Sequence, residues 1–393
     1  MKLFLLINLT IIYSLGLGFS SLLYQVLFFV LLIINSTYAF YLFLNRPNKK
    51  SYFEVNIFFL LIIVGLCLIS NGNSLADFIS YFLRIYYYIT LFYIVSLYTS
   101  FENERSIEIL KFLMKITMFV SMLSLILYIL FSEPLYLNIN GSLYSILIEQ
   151  SFFGKNIISG PFIAVNEFGD LQVFLLLFSL VGIQNKIKFS KISFVLSIIL
   201  VIMTISRTSI FLSLLIFLAY LFIEKKIKPV YVYLSIYLFG LIIIIQKFIN
   251  VFYFLGKFNQ TELFSGREEL WRASKIIISN HFFMGTPISQ IRNLYDSNLP
   301  ASLQGLGAHN MYLHLMVITG VLGFIAIMTF LLYIFVKAGV RKNKQLFFIS
   351  FSLVLLVFIR GITESGILFI FSLRTCFVWI LLGIIFSWKR GKI

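Results

Sequence analysis

Two arginines and one histidine, each placed beside the start of a helix, carry the chemistry that this sequence offers. Arg267 and Arg272 stand in "SGREELWRASKIIISN", residues 265–280. Ser265 and Glu268 there form the pattern of a capping box, and Leu270, Trp271, Ala273, Ile277 and Ile278 recur at helical spacing. Arg272 follows Glu268 by four residues and Glu269 by three, so its own helix can neutralise it. Arg267 has no such partner and stands in the first turn, where free N–H groups and the helix dipole favour an anion. A bound phosphate makes sense of a cation there. His309 is expected at the entrance of a later helix, where the dipole disfavours the imidazolium and leaves a neutral ring suited to general-base work. His309 and His314 are five apart, about 140° around a helix, so a shared metal is not expected. The outer segments offer no D-x-D pair for Mg²⁺ either, and the chemistry is read as free of metal and cofactor.

Arginines inside or bordering apolar runs are costly in hydrocarbon and are functional candidates by default. Arg207, in "TISRTSIF", is expected at an outer helix start beside Ser206 and Thr208; snorkelling to headgroups would also explain it. Arg84 lies within the fourth run and can pair internally or reach a ligand. Arg360 and Arg374 flank Glu364, so an ion pair with it is expected for one of them. A neutral base, a lipid phosphate and arginines to hold a leaving group suggest transfer from a diphosphate-linked lipid. Neither a P-loop nor a G-x-G-x-x-G sequence competes.

The elements that must position these groups are membrane helices. Of 393 residues, 60% are hydrophobic and 12% charged, and apolar runs of nearly spanning length recur. Spans are expected near 3–20, 22–44, 55–71, 79–99, 111–131, 166–184, 192–206, 208–223, 229–249, 311–336, 345–360 and 366–387, about twelve in all. The first is read as uncleaved, because another hydrophobic run follows it directly. The net charge of +16 gathers in alternate connectors, which points to the positive-inside rule and away from nucleic acid. Both termini are therefore expected in the cytoplasm. Cys67 and Cys376 lie inside apolar runs and suggest no redox chemistry. The expected fold is an all-α polytopic membrane protein of one domain, residues 1–393, with a first outer loop at 132–165 and a large one at 250–310. The large loop should hold short helices and the candidate residues.

"HNMYLHLMVITGVLG" has the form H-N-x9-G-x-x-G, with His309, Asn310, Gly320 and Gly323, and an Arg-x-x-x-Trp helix leading to His-x-x-x-Gly precedes it. "SRTSIF" at 206–211 and "GPFIAVNEFG" at 160–169 stand upstream. In order and spacing these pieces resemble the O-antigen polymerase and ligase superfamily. Phe282, where many members have proline, and "MGTPIS", in place of a more glycine-rich turn, are departures. The resemblance implies a metal-independent glycosyltransferase of the membrane C-type fold in a bacterial inner membrane. Its site would lie on the periplasmic side and act on an undecaprenyl-diphosphate-linked oligosaccharide amid membrane lipid, with a chain-length regulator protein as a further partner. Carried over, Arg207 and Arg267 bind the diphosphate, His309 is the base, Asn310 orients it, and Arg272, Asn166 and Arg84 are further binding candidates. A polymerase of repeat units is preferred over a ligase that transfers glycan to lipid A core. A flippase of similar span number is the reading from another class, disfavoured because the chain shows no evident halves.

Overall fold

The computed structural model describes residues 1–16, 22–44, 75–100, 102–131, 134–139, 142–150, 156–162, 164–224, 267–339, 343–365, 368 and 372–388. Along them run helices α1 (Lys2–Gly16), α2 (Leu22–Leu44), α3 (Leu75–Thr99), α4 (Asn103–Leu130), α5 (Val165–Gln184), α6 (Ser190–Met203) and α7 (Arg207–Ile223). After them come α8 (Arg267–Asn280), α9 (Ile288–Asn298), α10 (Met311–Gly339), α11 (Lys344–Thr363) and α12 (Leu373–Ser387). Ten of the twelve expected spans coincide with described helices; those at 55–71 and 229–249 lie outside the described residues. Among the described residues, four helices can cross a membrane by length and composition, α4, α5, Met311–Val336 of α10, and α11, and six shorter apolar helices accompany them.

The apolar faces of these helices sort into protein and lipid. α5 is buried along almost its whole length between α4, α6 and α7, and α12 is buried likewise against α3. α4 buries one side, Ile109, Leu110, Leu113 and Met114, and leaves Phe119, Ile126 and Ile129 exposed on another. An apolar surface of that kind is what a lipid-facing helix requires.

The segment expected to form the first outer loop departs from the all-α expectation. It forms a three-stranded antiparallel sheet, β1 (Leu135–Ile139), β2 (Ser142–Gln150) and β3 (Asn156–Gly160), in the order β1-β2-β3. Leu135 pairs with Ile146 and Ile139 with Ser142, and a bulge at Leu147/Ile148 precedes the pairing of Gln150 with Asn156. The signal was in the sequence, since Asn-Gly at 140–141 between residues of alternating polarity is the strongest short hairpin signature. β3 packs on α5 and turns into it at Gly160, whose φ of +59° is left-handed and where a Cβ would meet the Phe168 ring at 2.6 Å.

Residues 267–310 carry two short helices, α8 and α9. Ser265, the proposed cap of α8, lies outside the described residues, and α8 ends at Asn280 as its sequence suggests. Its apolar stripe does not face lipid headgroups. Leu270, Ala273, Ile277 and Ile278 are buried with Tyr295 and Leu299 of α9 and Val317 of α10, and Trp271 packs against the same cluster. Protein offers these side chains a closer-packed partner than an interface would.

α8 is anchored to α10 through broken helix geometry. Gly320 sits inside α10 with φ 61° and ψ −172°, and the interrupted ladder frees backbone groups on both sides. The segment after α8 takes them up: Thr286 N donates to Val317 O at 2.7 Å, and Val321 N donates to Phe282 O at 2.8 Å. At Gly320 a Cβ would collide with the Phe283 carbonyl, and at Gly285 with that of Ile318. Gly285 and Gly320, one from each motif, are thus the places where two backbones touch.

Candidate functional site

Helix ends of α5, α7, α10 and α11 meet at one end of the bundle. The first turn of α5 holds Asn166, whose Nδ2 donates to Glu364 Oε1 at 3.1 Å, at the C-terminus of α11. Ser206, the residue before α7, donates through Oγ to Asn166 Oδ1 at 3.0 Å. Its hydroxyl also meets Ser209 Oγ at 2.9 Å, so it does not cap its own helix. Asn310 Nδ2 donates to Ile362 O at 3.2 Å, while its Oδ1 accepts from Leu313 N at 3.1 Å and caps α10. The Asn310 side chain thereby ties the start of α10 to the end of α11 and holds the residue before it.

That residue is His309. Its φ of 43° is left-handed, an uncommon conformation for a non-glycine residue that is associated with functional sites. Its Nδ1 is buried and has no hydrogen-bond partner among the described residues. Burial pushes its pKa below the ordinary histidine value and the positive Arg267 lowers it further, while the Glu364 carboxylate acts the other way. The expected neutral ring is therefore obtained chiefly by desolvation. Arg267 and Glu364 both lie close enough to act on it, so the structure brings the α8 start, the α10 start and the α11 end together.

The arginines divide into free and committed. Arg207, the first residue of α7, is exposed, and Arg267 is half-buried; neither has an ion pair among the described residues. Arg272 is exposed and bonded to Glu269 at 2.6 Å, the neutralisation on its own helix that the spacing suggests. Arg84 lies in α3, and its side chain is outside the described residues.

Arg360 forms the expected ion pair with Glu364, but a closer partner holds both Arg360 and Arg374. Both bind Asp170 of α5, which is 1% exposed: Arg360 Nε lies 2.9 Å from Oδ1 and Arg374 Nη1 2.7 Å from Oδ2. The Arg360–Glu364 contact is longer, 3.9 Å. Arg360 Nη2 also donates to Asn166 O at 3.3 Å, and Ser209 Oγ donates to Asp170 Oδ1 at 3.4 Å. α5 and α7 approach closely enough for this because a Cβ on Gly169 would lie 2.6 Å from Ser209 Oγ. A buried carboxylate shared by two guanidiniums is the arrangement that charges in a low-dielectric interior require. Asp170 escaped the sequence reading, although a lone carboxylate within an apolar run is a signal of the same kind as the arginines.

Apolar helices thus surround a polar end where buried His309 lies near Arg267 and Glu364, and Arg207 is exposed at the start of α7. Residues 192–328 match the family model described as O-antigen ligase. The matched segment, residues 192–328 of 393, contains Arg207, Arg267, His309 and both glycines of H-N-x9-G-x-x-G. No curated protein matches the chain at a significant level. Asn166, Asp170 and Glu364 lie beyond the matched residues, so they join the site through tertiary contacts alone.

Proposed function

We propose that this protein is a metal-independent, inverting polymerase that joins undecaprenyl-diphosphate-linked repeat units at the outer face of a bacterial inner membrane. The observation that carries the proposal is a buried His309 ring nitrogen with a nearby Arg267, neither of which has a hydrogen-bond or carboxylate partner, respectively, among the described residues. In this reading a hydroxyl of the acceptor sugar attacks the anomeric carbon of the donor while the bond from that carbon to the diphosphate oxygen breaks. His309 takes the hydroxyl proton. Arg207 and Arg267 hold the departing diphosphate, whose growing charge strengthens both contacts in the transition state. Diphosphate leaves without being protonated, so one base and two cations suffice. Glu364, fixed by Asn166 and Arg360, steadies the imidazolium once it forms.

The description of the matched family favours a second reading, ligation of the glycan to a different acceptor such as lipid A core. One assay separates the two. Reconstituted full-length protein is given the lipid-linked repeat unit alone, without added metal, and glycans are resolved by length. A ladder supports the polymerase. Product only after lipid A core is added supports the ligase, and no transfer in either case, with active controls, overturns both in favour of a transporter.

A further inference from the structure

Beside the Asp170 clamp lies a pocket that the transfer chemistry does not use. Phe162, Glu167, Leu171, Phe174, Arg374 and Phe377 supply most of its wall, and its volume is about 240 Å³ counting the open mouth. Its enclosed part admits only a water-sized group. Phe162 comes from the β3–α5 turn; Phe174 and Phe377 meet edge to face, with ring centroids 5.2 Å apart, where α5 packs on α12.

The polar groups facing this space are unusual for a helix interface. Arg374 is 9% exposed and spends Nη1 on Asp170, yet its Nε is buried with no hydrogen-bond partner. Such a donor is costly to leave unpaired. Glu167, one turn before Leu171, lines the same pocket and acts electrostatically on Arg374, but the two form no ion pair within 4 Å. The pocket thus presents a donor, an acceptor and apolar aromatic walls. A hydroxyl in the pocket can accept from the Arg374 guanidinium and donate to the Glu167 carboxylate, since both residues line it. The aromatic rings suit the apolar face of the ring that bears it.

We infer that this pocket is a saccharide subsite: one hydroxyl arm of a sugar in the lipid-linked glycan enters between Arg374 and Glu167, with its ring held at the mouth beside Phe162. The inference rests on the transfer reading for the identity of the ligand, and it adds a contact remote from the reacting bond. Asp170 links the two places, because its Oδ2 accepts from both Arg374 Nη1 and Arg360 Nε, and Arg360 reaches Glu364. Sugar bound here would orient the glycan while the diphosphate end is held at Arg207 and Arg267.

The test uses full-length protein in nanodiscs and the repeat-unit oligosaccharide freed of its lipid, observed by saturation-transfer NMR, together with steady-state transfer from the lipid-linked form. Wild type should transfer saturation to the free saccharide, and Glu167→Gln and Phe162→Ala should each lose that signal. Both variants should raise KM by about tenfold or more with kcat nearly unchanged, the mark of lost binding away from the reacting atoms. Wild type without a saccharide signal, or variants with the wild-type signal and KM, would overturn the subsite and leave an ordered water as the occupant. A saccharide signal in wild type that both variants lose, in a protein inactive in every transfer assay, would keep the subsite and refute the transfer reading.

Discussion

Replacing Asp170 by Asn tests the electrostatic centre of the molecule with the smallest change of shape. The side chain keeps its size and one acceptor oxygen but loses its charge. An amide NH₂ then stands where one of two guanidiniums was bound, against Arg360 Nε at 2.9 Å or Arg374 Nη1 at 2.7 Å. Arg360 and Arg374, 2% and 9% exposed, cannot recover their hydration. Removing one partner of a buried ion pair costs roughly 3–5 kcal/mol, and here one carboxylate serves two cations. Since native proteins are stable by only about 5–15 kcal/mol, Asp170→Asn should sharply reduce the folded fraction recovered from the membrane and lower the thermal midpoint of the purified protein. The decisive comparison is the double variant Asp170→Asn/Arg374→Met, which removes one stranded charge with little loss of volume. It should be more stable than Asp170→Asn alone, in the solubilised protein followed by fluorescence-detected size exclusion. The reasoning fails if Asp170→Asn unfolds within about 1 kcal/mol of wild type. Costs of the two single substitutions that simply add would refute it too, because groups in one network must couple.

His309→Ala should lower transfer by on the order of 10²-fold or more while the protein still inserts and folds, as judged by size exclusion. Arg267→Lys should remain impaired by about tenfold or more in kcat/KM, since a point charge does not reproduce a guanidinium fork on a diphosphate. In pH profiles of kcat/KM the neutral base is lost as pH falls, with a midpoint below the ordinary histidine value of 6.5. Arg267→Gln removes a charge that lowers this pKa and should move the acid limb up, whereas Glu364→Gln removes one that raises it and should move the limb down. Gly320→Ala forces a Cβ into the Phe283 carbonyl at a left-handed φ and should destabilise by more than the roughly 1–2 kcal/mol of the conformation alone, read as a lower thermal midpoint.

The sequence determined the solvent and most of the elements. Apolar runs of spanning length have one favourable conformation in hydrocarbon, so the helices from α1 to α12 that follow such runs are legible without a partner in view. Local spacing also separated Arg272, neutralised by Glu269 one turn away, from Arg267, which is not. The Asn-Gly hairpin was equally local and could have been read. Tertiary structure decided what joins over long separations. Asp170 is 190 residues from Arg360 and 204 from Arg374, and periodicity carries no information on which carboxylate a buried arginine will meet. The stripe on α8 was legible as apolar, but whether lipid or protein would cover it depended on α9 and α10 folding back. The same holds for His309: its neighbours in the chain predicted a neutral ring, but its burial, and the opposing fields of Arg267 and Glu364, exist only where three helix ends are packed together.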